Sequence, residues 1–205
     1  MLITRSPLLL IVSGPAGSGK TTLCDRLCSE LANMRRVITA TTRPPRTGEQ
    51  NGVDYYFLEE STFEQNVRGN AFYEHAHVHD RRYGTLKSEI KEKFEMGNDL
   101  VLNIDVQGAA SFRSAKDHDS TLAQRLVSAF IGVTDLEELQ RRMEARGKDR
   151  PEEIARRLKN AKNEFKEWHH FDYFIDSQSK EEDFQRIKSI YITEKLNTQR
   201  CSMDV

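Results

Sequence analysis

Leu8-Leu9-Leu10-Ile11-Val12-Ser13-Gly14-Pro15-Ala16-Gly17-Ser18-Gly19-Lys20-Thr21-Thr22 is the stretch that decides the fold. Its first half is an uninterrupted apolar run of strand length. The run leads directly into Gly-x4-Gly-Lys-Thr, the phosphate loop, and a helix-like segment over 21–32 comes next. The order matters more than the letters. A strand delivers the loop, glycines let backbone N–H groups curl around a phosphate, and the next helix points its positive end at the same place. Lys20 is placed to reach the terminal phosphates of a nucleoside triphosphate, and the Thr21 hydroxyl to hold Mg2+. The expected ATP-binding segment is therefore Gly14, Pro15, Ala16, Gly17, Ser18, Gly19, Lys20, Thr21 and Thr22. A glycine-rich turn without a ligand would leave the lysine in its middle unexplained.

Outward from this stretch, strand-like and helix-like segments alternate. That pattern implies an α/β fold of the P-loop NTPase type, a three-layer parallel sheet. Strands are expected at 8–13, 37–41, 100–104, 126–131 and 173–175. Helices are expected at 21–32, at 88–96 before Gly97, at 135–146 with Leu136, Leu139 and Met143 on one face, and at 180–196 with Phe184, Ile187 and Tyr191 on one side. From Pro151, tolerated in a first helical turn, Ile154, Leu158, Ala161, Phe165 and Trp168 recur at four-three spacing. They predict one long amphipathic helix with its stripe in the core.

Two stretches do not read as sheet core. Residues 43–90 begin with Arg43-Pro44-Pro45-Arg46-Thr47-Gly48-Glu49 and hold short strand-like pieces around 55–58 and 72–78. They predict a small inserted α+β region. Arg146-Gly147-Lys148-Asp149-Arg150 is a polar joint between two helices, suited to the tip of a mobile lid. The expected organisation is core with phosphate loop over 1–42, inserted region over 43–90, core over 91–137, helical lid over 138–159 and core over 160–205. All of it forms one domain of about 7–190.

Composition narrows the function. Lys plus Arg is 31 and Asp plus Glu is 32 among 205 residues, a net charge of −1. A dedicated nucleic-acid binder would be plainly basic, so no nucleic-acid partner is expected. The apolar run at 8–12 is too short to span a bilayer and leads into the phosphate loop instead of a cleavage site, so no membrane partner is expected. Cys24, Cys28 and Cys201 are odd in number and unsuited to a zinc site, which predicts free thiols and a cytoplasmic location. His75, His77 and His79 alternate on a strand, but no second ligand set accompanies them, so they read as surface histidines.

Leu100-Val101-Leu102-Asn103-Ile104-Asp105 is an apolar strand ending in a carboxylate. After a complete phosphate loop, Asp105 at such a strand end is expected in the metal shell with Thr21, directly or through water. The insertion carries further motifs. Thr39-Ala40-Thr41-Thr42-Arg43-Pro44-Pro45-Arg46-Thr47-Gly48-Glu49-Gln50-Asn51-Gly52-Val53-Asp54-Tyr55, then Phe72-Tyr73-Glu74-His75-Ala76 and Tyr83-Gly84-Thr85, resemble the guanylate kinase family in order and spacing. The resemblance spans roughly residues 8 to 175. It implies Mg2+-dependent phosphorylation of GMP, and of dGMP, by ATP, in a three-part enzyme of core, GMP-binding region and lid. A homodimer is compatible with it.

The resemblance also implies residue roles. Arg43 and Arg46 fork onto the GMP phosphate, since guanidinium matches phosphate oxygens bidentately. Tyr55 and Tyr83 donate hydroxyls to the same phosphate, Glu74 and Thr85 read the base, and Thr39 approaches the GMP side. A carboxylate at Glu74 accepts from guanine N1–H and the 2-amino group together, a pair of donors that adenine lacks. Such a paired contact discriminates by ~1–3 kcal/mol. Arg142, Arg146 and Arg157 align with lid arginines that, with Lys20, offset charge on the transferring phosphoryl group.

The chain departs from the family pattern in places. Asn103 stands where the family has an acid that helps bind the guanine 2-amino group, so weaker GMP binding or looser base choice is expected. Asp176-Ser177 replaces an asparagine-led pair near the adenine ring. Arg82 replaces an aromatic and is expected to face solvent, and 118–124 is expected as a surface loop. Two other readings compete: a relative acting on another phosphate ester, and a catalytically silent docking module. Lys20, Thr21 and Asp105 together argue against the second.

Overall fold

Leu9–Ser13 is buried at every residue because helices cover the sheet on both faces. In chain order, the computed structural model places β1 at Leu2–Arg5, β2 at Leu9–Ser13, α1 at Lys20–Glu30, β3 at Met34–Arg36 and β4 at Ala40–Thr41. Next come β5 at Tyr56–Phe57, α2 at Glu60–Arg68, β6 at Phe72–Val78, β7 at Arg81–Leu86, α3 at Lys87–Glu95 and β8 at Asp99–Asn103. The chain continues with α4 at Val106–Lys116, α5 at Ser120–Arg125, β9 at Leu126–Gly132, α6 at Leu136–Ala145 and α7 at Pro151–Glu164. A 3-10 turn at Phe165–His170, β10 at Tyr173–Asp176, α8 at Lys180–Lys195 and β11 at Cys201–Asp204 complete it. The structure describes residues 2–78, 80–145, 147 and 150–204.

The main sheet runs β10-β9-β2-β8-β3, parallel throughout. The largely apolar inner strands β9, β2 and β8 are the mark of burial on both faces. Leu8, Leu10 and Val12 pack with Leu23 and Leu27 of α1 and Phe184 and Ile187 of α8. Leu9 and Ile11 point the other way, to Ile90 and Phe94 of α3, Phe112 of α4 and Leu122 of α5. Truncating any of these to alanine would cost about 2–5 kcal/mol. At the base of the sheet, buried Asp99 accepts from Leu8 N at 2.7 Å, Tyr191 Oη at 2.7 Å and Lys195 Nζ at 2.8 Å, which anchors α8.

A second sheet, β5-β4-β7-β6, packs Phe63 of α2 against Phe72 and Ala40. The strand expected at 37–41 is not found at those bounds: a core strand lies just before it, and only its last two residues form a strand, in the other sheet. Met34–Arg36 joins the core sheet, whereas Ala40–Thr41 pairs with β5 and β7. Between them the Ile38 N–H turns from the ladder to the buried carboxylate of Glu89, at 2.8 Å. Glu89 also accepts from Tyr56 Oη at 2.8 Å and pairs with Lys93, so one side chain joins the two sheets.

Three further expectations are corrected. The long helix stops at Glu164, and the tighter 3-10 turn swings Trp168 out of the stripe, leaving it 48% exposed. The segment 118–124 is largely helix: Asp119 accepts from Leu122 N at 3.0 Å as N-cap, and Leu122 is buried. Arg82 does not face solvent. It pairs with Glu64 at 2.5 Å and Glu60 at 3.3 Å and lies over the Phe63 ring. The three cysteines are free, and burial pushes the Cys24 thiol up to about 12. Among the described residues no helix is long and apolar enough to cross a membrane.

Candidate active site

The phosphate loop is built as its glycines require. Gly14 has φ +131°, and a Cβ there would lie 2.1 Å from the Ile131 carbonyl oxygen, so only glycine lets the loop pass over β9. Gly19, at φ +96°, is the left-handed N-cap that starts α1. Lys20 Nζ donates to the carbonyls of Gly14 at 2.6 Å and Pro15 at 2.9 Å, which holds its charge over the loop. Ser18 Oγ is buried in the same loop with no hydrogen-bond partner, a donor of the kind a phosphate oxygen satisfies.

A cavity of about 410 Å³ opens beside the loop, lined by Gly17, Ser18, Gly19 and Thr22 on one side and Arg142 and Gln178 on the other. Arg142 is clamped there. Its Nε donates to Glu138 at 2.8 Å, Nη1 to Ser177 Oγ at 2.7 Å and Nη2 to the Gln178 carbonyl at 2.7 Å. Ser177 in turn donates to buried Asp183 at 2.5 Å. Asp176 accepts from Thr134 Oγ1 at 3.0 Å and Gln178 Nε2 at 3.1 Å. The Asp176-Ser177 pair is thus engaged in shaping the cavity wall.

Residues 39–85 present a different surface. On β6 and β7, Glu74 pairs with Thr85 and Ala76 with Tyr83, so Glu74, Thr85 and Tyr83 share one face. Thr85 Oγ1 donates to Glu74 Oε1 at 2.6 Å. Burial pushes the Glu74 carboxyl up and the negative Asp105 adds to it, against the Thr85 hydrogen bond. Tyr55 and Tyr83 meet edge to face with centroids 6.2 Å apart, and the Arg43 guanidinium lies 5.4 Å from the Tyr55 ring. Glu49 pairs with Arg43 at 2.9 Å and accepts from Arg46 N at 2.7 Å, folding the two arginines into one loop.

Between the two surfaces lies the end of β8. Asn103 Nδ2 donates to Thr21 Oγ1 at 3.1 Å. Asp105 caps α4 by accepting from Gly108 N at 2.8 Å. The Thr21 hydroxyl, the Asn103 amide oxygen and the Asp105 carboxylate are hard oxygen donors of the kind that suits Mg2+.

The sequence model of the guanylate kinase family matches residues 6–194. A guanylate kinase of Syntrophotalea carbinolica is 39% identical over 196 residues, covering 96% of this chain and 90% of the relative. One from Hyphomonas neptunium is 38% identical over 196 residues, covering 96% and 88%. The crystal structure of guanylate kinase from Anaplasma phagocytophilum superposes with a TM-score of 0.74 at 30% identity, over 98% of this chain and 92% of that one. The chain belongs to the guanylate kinase family. It is an enzyme, a nucleotide kinase on a P-loop NTPase fold, and the family activity is phosphorylation of GMP by ATP.

Within this kinase Asn103 joins Thr21 beside the phosphate loop, Arg43 and Arg46 share one loop with Tyr55 next to Arg43, and Tyr83, against Tyr55, shares the face of Glu74 and Thr85. Thr39 lies at the root of the inserted sheet, its carbonyl accepting from Tyr56 N at 2.9 Å. Arg157 pairs with Glu153 at 2.9 Å, and the carboxyl of Glu153 is held down to about 2 by Arg156 and Arg157. Arg146 and His79 lie outside the described residues. Sequence reasoning missed Glu49, Asp183 and Glu164. Glu164 is pushed up to about 7 by burial, with Asp105 raising it further and Lys20 opposing. Nothing in its sequence surroundings distinguishes it from the other polar residues of α7. Asp119 before Ser120-Thr121-Leu122 is an N-cap pattern, and it could have revealed α5.

Proposed function

We propose that the enzyme transfers the terminal phosphoryl group of ATP to GMP, giving GDP, with donor and acceptor held on opposite sides of the β8 end. Residues 14–22 hold the donor phosphates through backbone N–H groups, Lys20 and the α1 N-terminus. Arg43, Arg46, Tyr55 and Tyr83 hold the acceptor phosphate. Glu74 and Thr85 read its base, and Thr39 borders that side. The observation that carries this reading is the Glu74–Thr85 pair on the face that also bears Tyr83. A carboxylate acceptor beside a hydroxyl matches guanine, which offers N1–H and a 2-amino group next to a carbonyl, and mismatches adenine.

The mechanism requires little covalent work from the protein. The acceptor phosphate oxygen is already nucleophilic at neutral pH, so catalysis consists of alignment and charge compensation. Lys20, Arg142, Arg146 and Arg157 are assigned to charge compensation, with Arg142 also bordering the donor cavity. Thr21, Asn103 and Asp105 are the residues that would hold Mg2+, which when bound neutralises charge on the phosphates. The named contacts fall on base and phosphate, none on the sugar 2′ position, so dGMP is also an acceptor. The free cysteines support a cytoplasmic location.

A coupled assay with ATP and Mg2+ and each of GMP, dGMP, AMP, CMP and UMP tests the proposal. Turnover of GMP and dGMP is expected at rates at least about 100-fold above those with AMP. Comparable turnover of AMP would overturn the base assignment.

A further inference from the structure

Strands β6 and β7 pair Phe72 with Leu86, but Glu74 with Thr85. Two steps on one strand match a single step on the other. Tyr73 is therefore the extra residue of a β-bulge, which leaves the ladder and re-aims the side chains after it. The consequence is large because strand side chains alternate with a period of two. In a regular strand Phe72 and Glu74 would share a face. Here Leu86 and Thr85 are neighbours on β7 and point to opposite sides, so their partners do too. Phe72 goes to the α2 side, where its ring stacks on Phe63 at 4.6 Å. Glu74 goes to the other side, with Thr85 and Tyr83.

A tie to the core holds the bulge. The Tyr73 ring packs against Phe112 of α4, centroids 5.1 Å apart, with the Lys87 ammonium 5.8 Å from its centre. Its hydroxyl donates to Asp119 Oδ2 at 2.7 Å. Asp119 is itself fixed, since its other oxygen caps α5 through Leu122 N at 3.0 Å. The inserted sheet is thus pinned to the core at the residue before the carboxylate that meets the base.

We propose that Tyr73 and Asp119 are positioning residues for acceptor selection: their hydrogen bond holds the bulge that turns Glu74 toward the guanine edge. The inference rests on the assignment of Glu74 as base reader. Neither residue is among those assigned to nucleotide contact. Their effect appears as discrimination between GMP and IMP, which lacks the 2-amino group and so offers Glu74 one donor fewer.

The test uses the full chain with Tyr73→Phe, which keeps the ring, and Asp119→Ser, which keeps a good N-cap residue but has no second oxygen to reach the Tyr73 hydroxyl. Steady-state constants for GMP, IMP and ATP are measured beside calorimetric GMP binding and thermal midpoints. Each single variant is expected to raise the KM for GMP about tenfold and to shrink the GMP-over-IMP preference in kcat/KM, with the KM for ATP unchanged. The double variant should be no worse than either single one, because both remove the same bond. Combined with Glu74→Gln, Tyr73→Phe should add little.

A lower thermal midpoint with an unchanged GMP-over-IMP ratio would make the pair merely structural and overturn the proposal. Additive losses in the Tyr73–Asp119 double variant would overturn it as well. Glu74→Gln measured alone separates the two levels. If it leaves the GMP-over-IMP ratio as in the parent, the base-reader assignment fails and takes this inference with it. If it selectively impairs GMP while Tyr73→Phe does not, only the positioning role fails.

Discussion

The amide of Asn103 donates to the hydroxyl of Thr21 at 3.1 Å, tying the end of β8 to the first turn of α1. Family resemblance puts residue 103 on the guanine 2-amino group, whereas this contact couples it to the phosphate loop. Asn103→Asp would replace a donor by an acceptor and add a negative charge beside Thr21. We expect the Mg2+ concentration for half-maximal activity to fall about tenfold, as an added carboxylate favours a hard cation. The KM for GMP should change less than about twofold. A large change in that KM with an unaltered Mg2+ titration would return residue 103 to the acceptor side.

Lys20 sits over the loop through the Gly14 and Pro15 carbonyls. Lys20→Met keeps the length of the side chain and removes its charge. The fold has little reason to suffer, because the ammonium is only partly buried. Turnover should drop by about 10³-fold, the scale of losing one preorganised charge in phosphoryl transfer. The thermal midpoint should move by no more than about 2 °C. A variant retaining full kcat would remove the catalytic role assigned to the loop.

Glu74 bears a carboxylate that burial and Asp105 already push toward the neutral form. Glu74→Gln is therefore nearly isosteric and should fold. It presents an NH2 group to a guanine edge that also carries donors, so the KM for GMP should rise at least about tenfold. The KM for ATP should stay within about twofold. Equal losses for both nucleotides would show that Glu74 supports the cleft as a whole instead of reading the base.

How much the sequence made legible depends on how local each signal is. The phosphate loop and its strand are contiguous, so their order alone predicts the β2–loop–α1 unit that the structure contains. The core strands at 100–104 and 126–131 are apolar runs whose burial on both faces leaves a direct trace in composition, and 173–175 is a shorter apolar run at the sheet edge. The break between β3 and β4 at 37–39 is different. It depends on Glu89, 51 residues away, capturing the Ile38 N–H. Likewise Arg82 reads as solvent-facing until α2 brings Glu60 and Glu64 beneath it. The bulge at Tyr73 leaves no local mark, and the carboxylate its hydroxyl meets, Asp119, lies on another element. Contacts between distant segments decide these places, and periodicity cannot report them.

Glu164 supplies the pH prediction. Its folded-state value of about 7 lies above the ordinary 4.5, chiefly because burial disfavours the charged form, with the negative charge of Asp105 in the same direction and Lys20 opposing. Below pH 4.5 the group is protonated in folded and unfolded chains alike, and it contributes no difference. Between 4.5 and 7 the unfolded chain releases this proton first, so the folded state binds more protons and its stability falls as pH rises. Above 7 the carboxylate is ionised in both states and the full cost is present. Glu164→Gln removes the titration and keeps the shape. The variant should match the parent near pH 4.5 and exceed it by about 1–2 kcal/mol at pH 8, a figure reduced from the full shift because the site is only partly buried. Urea unfolding of both proteins at pH 4.5, 6 and 8 measures the difference directly. A stability gap independent of pH, or one that widens toward acid, would show that Glu164 ionises in the folded enzyme as freely as it does in the unfolded chain.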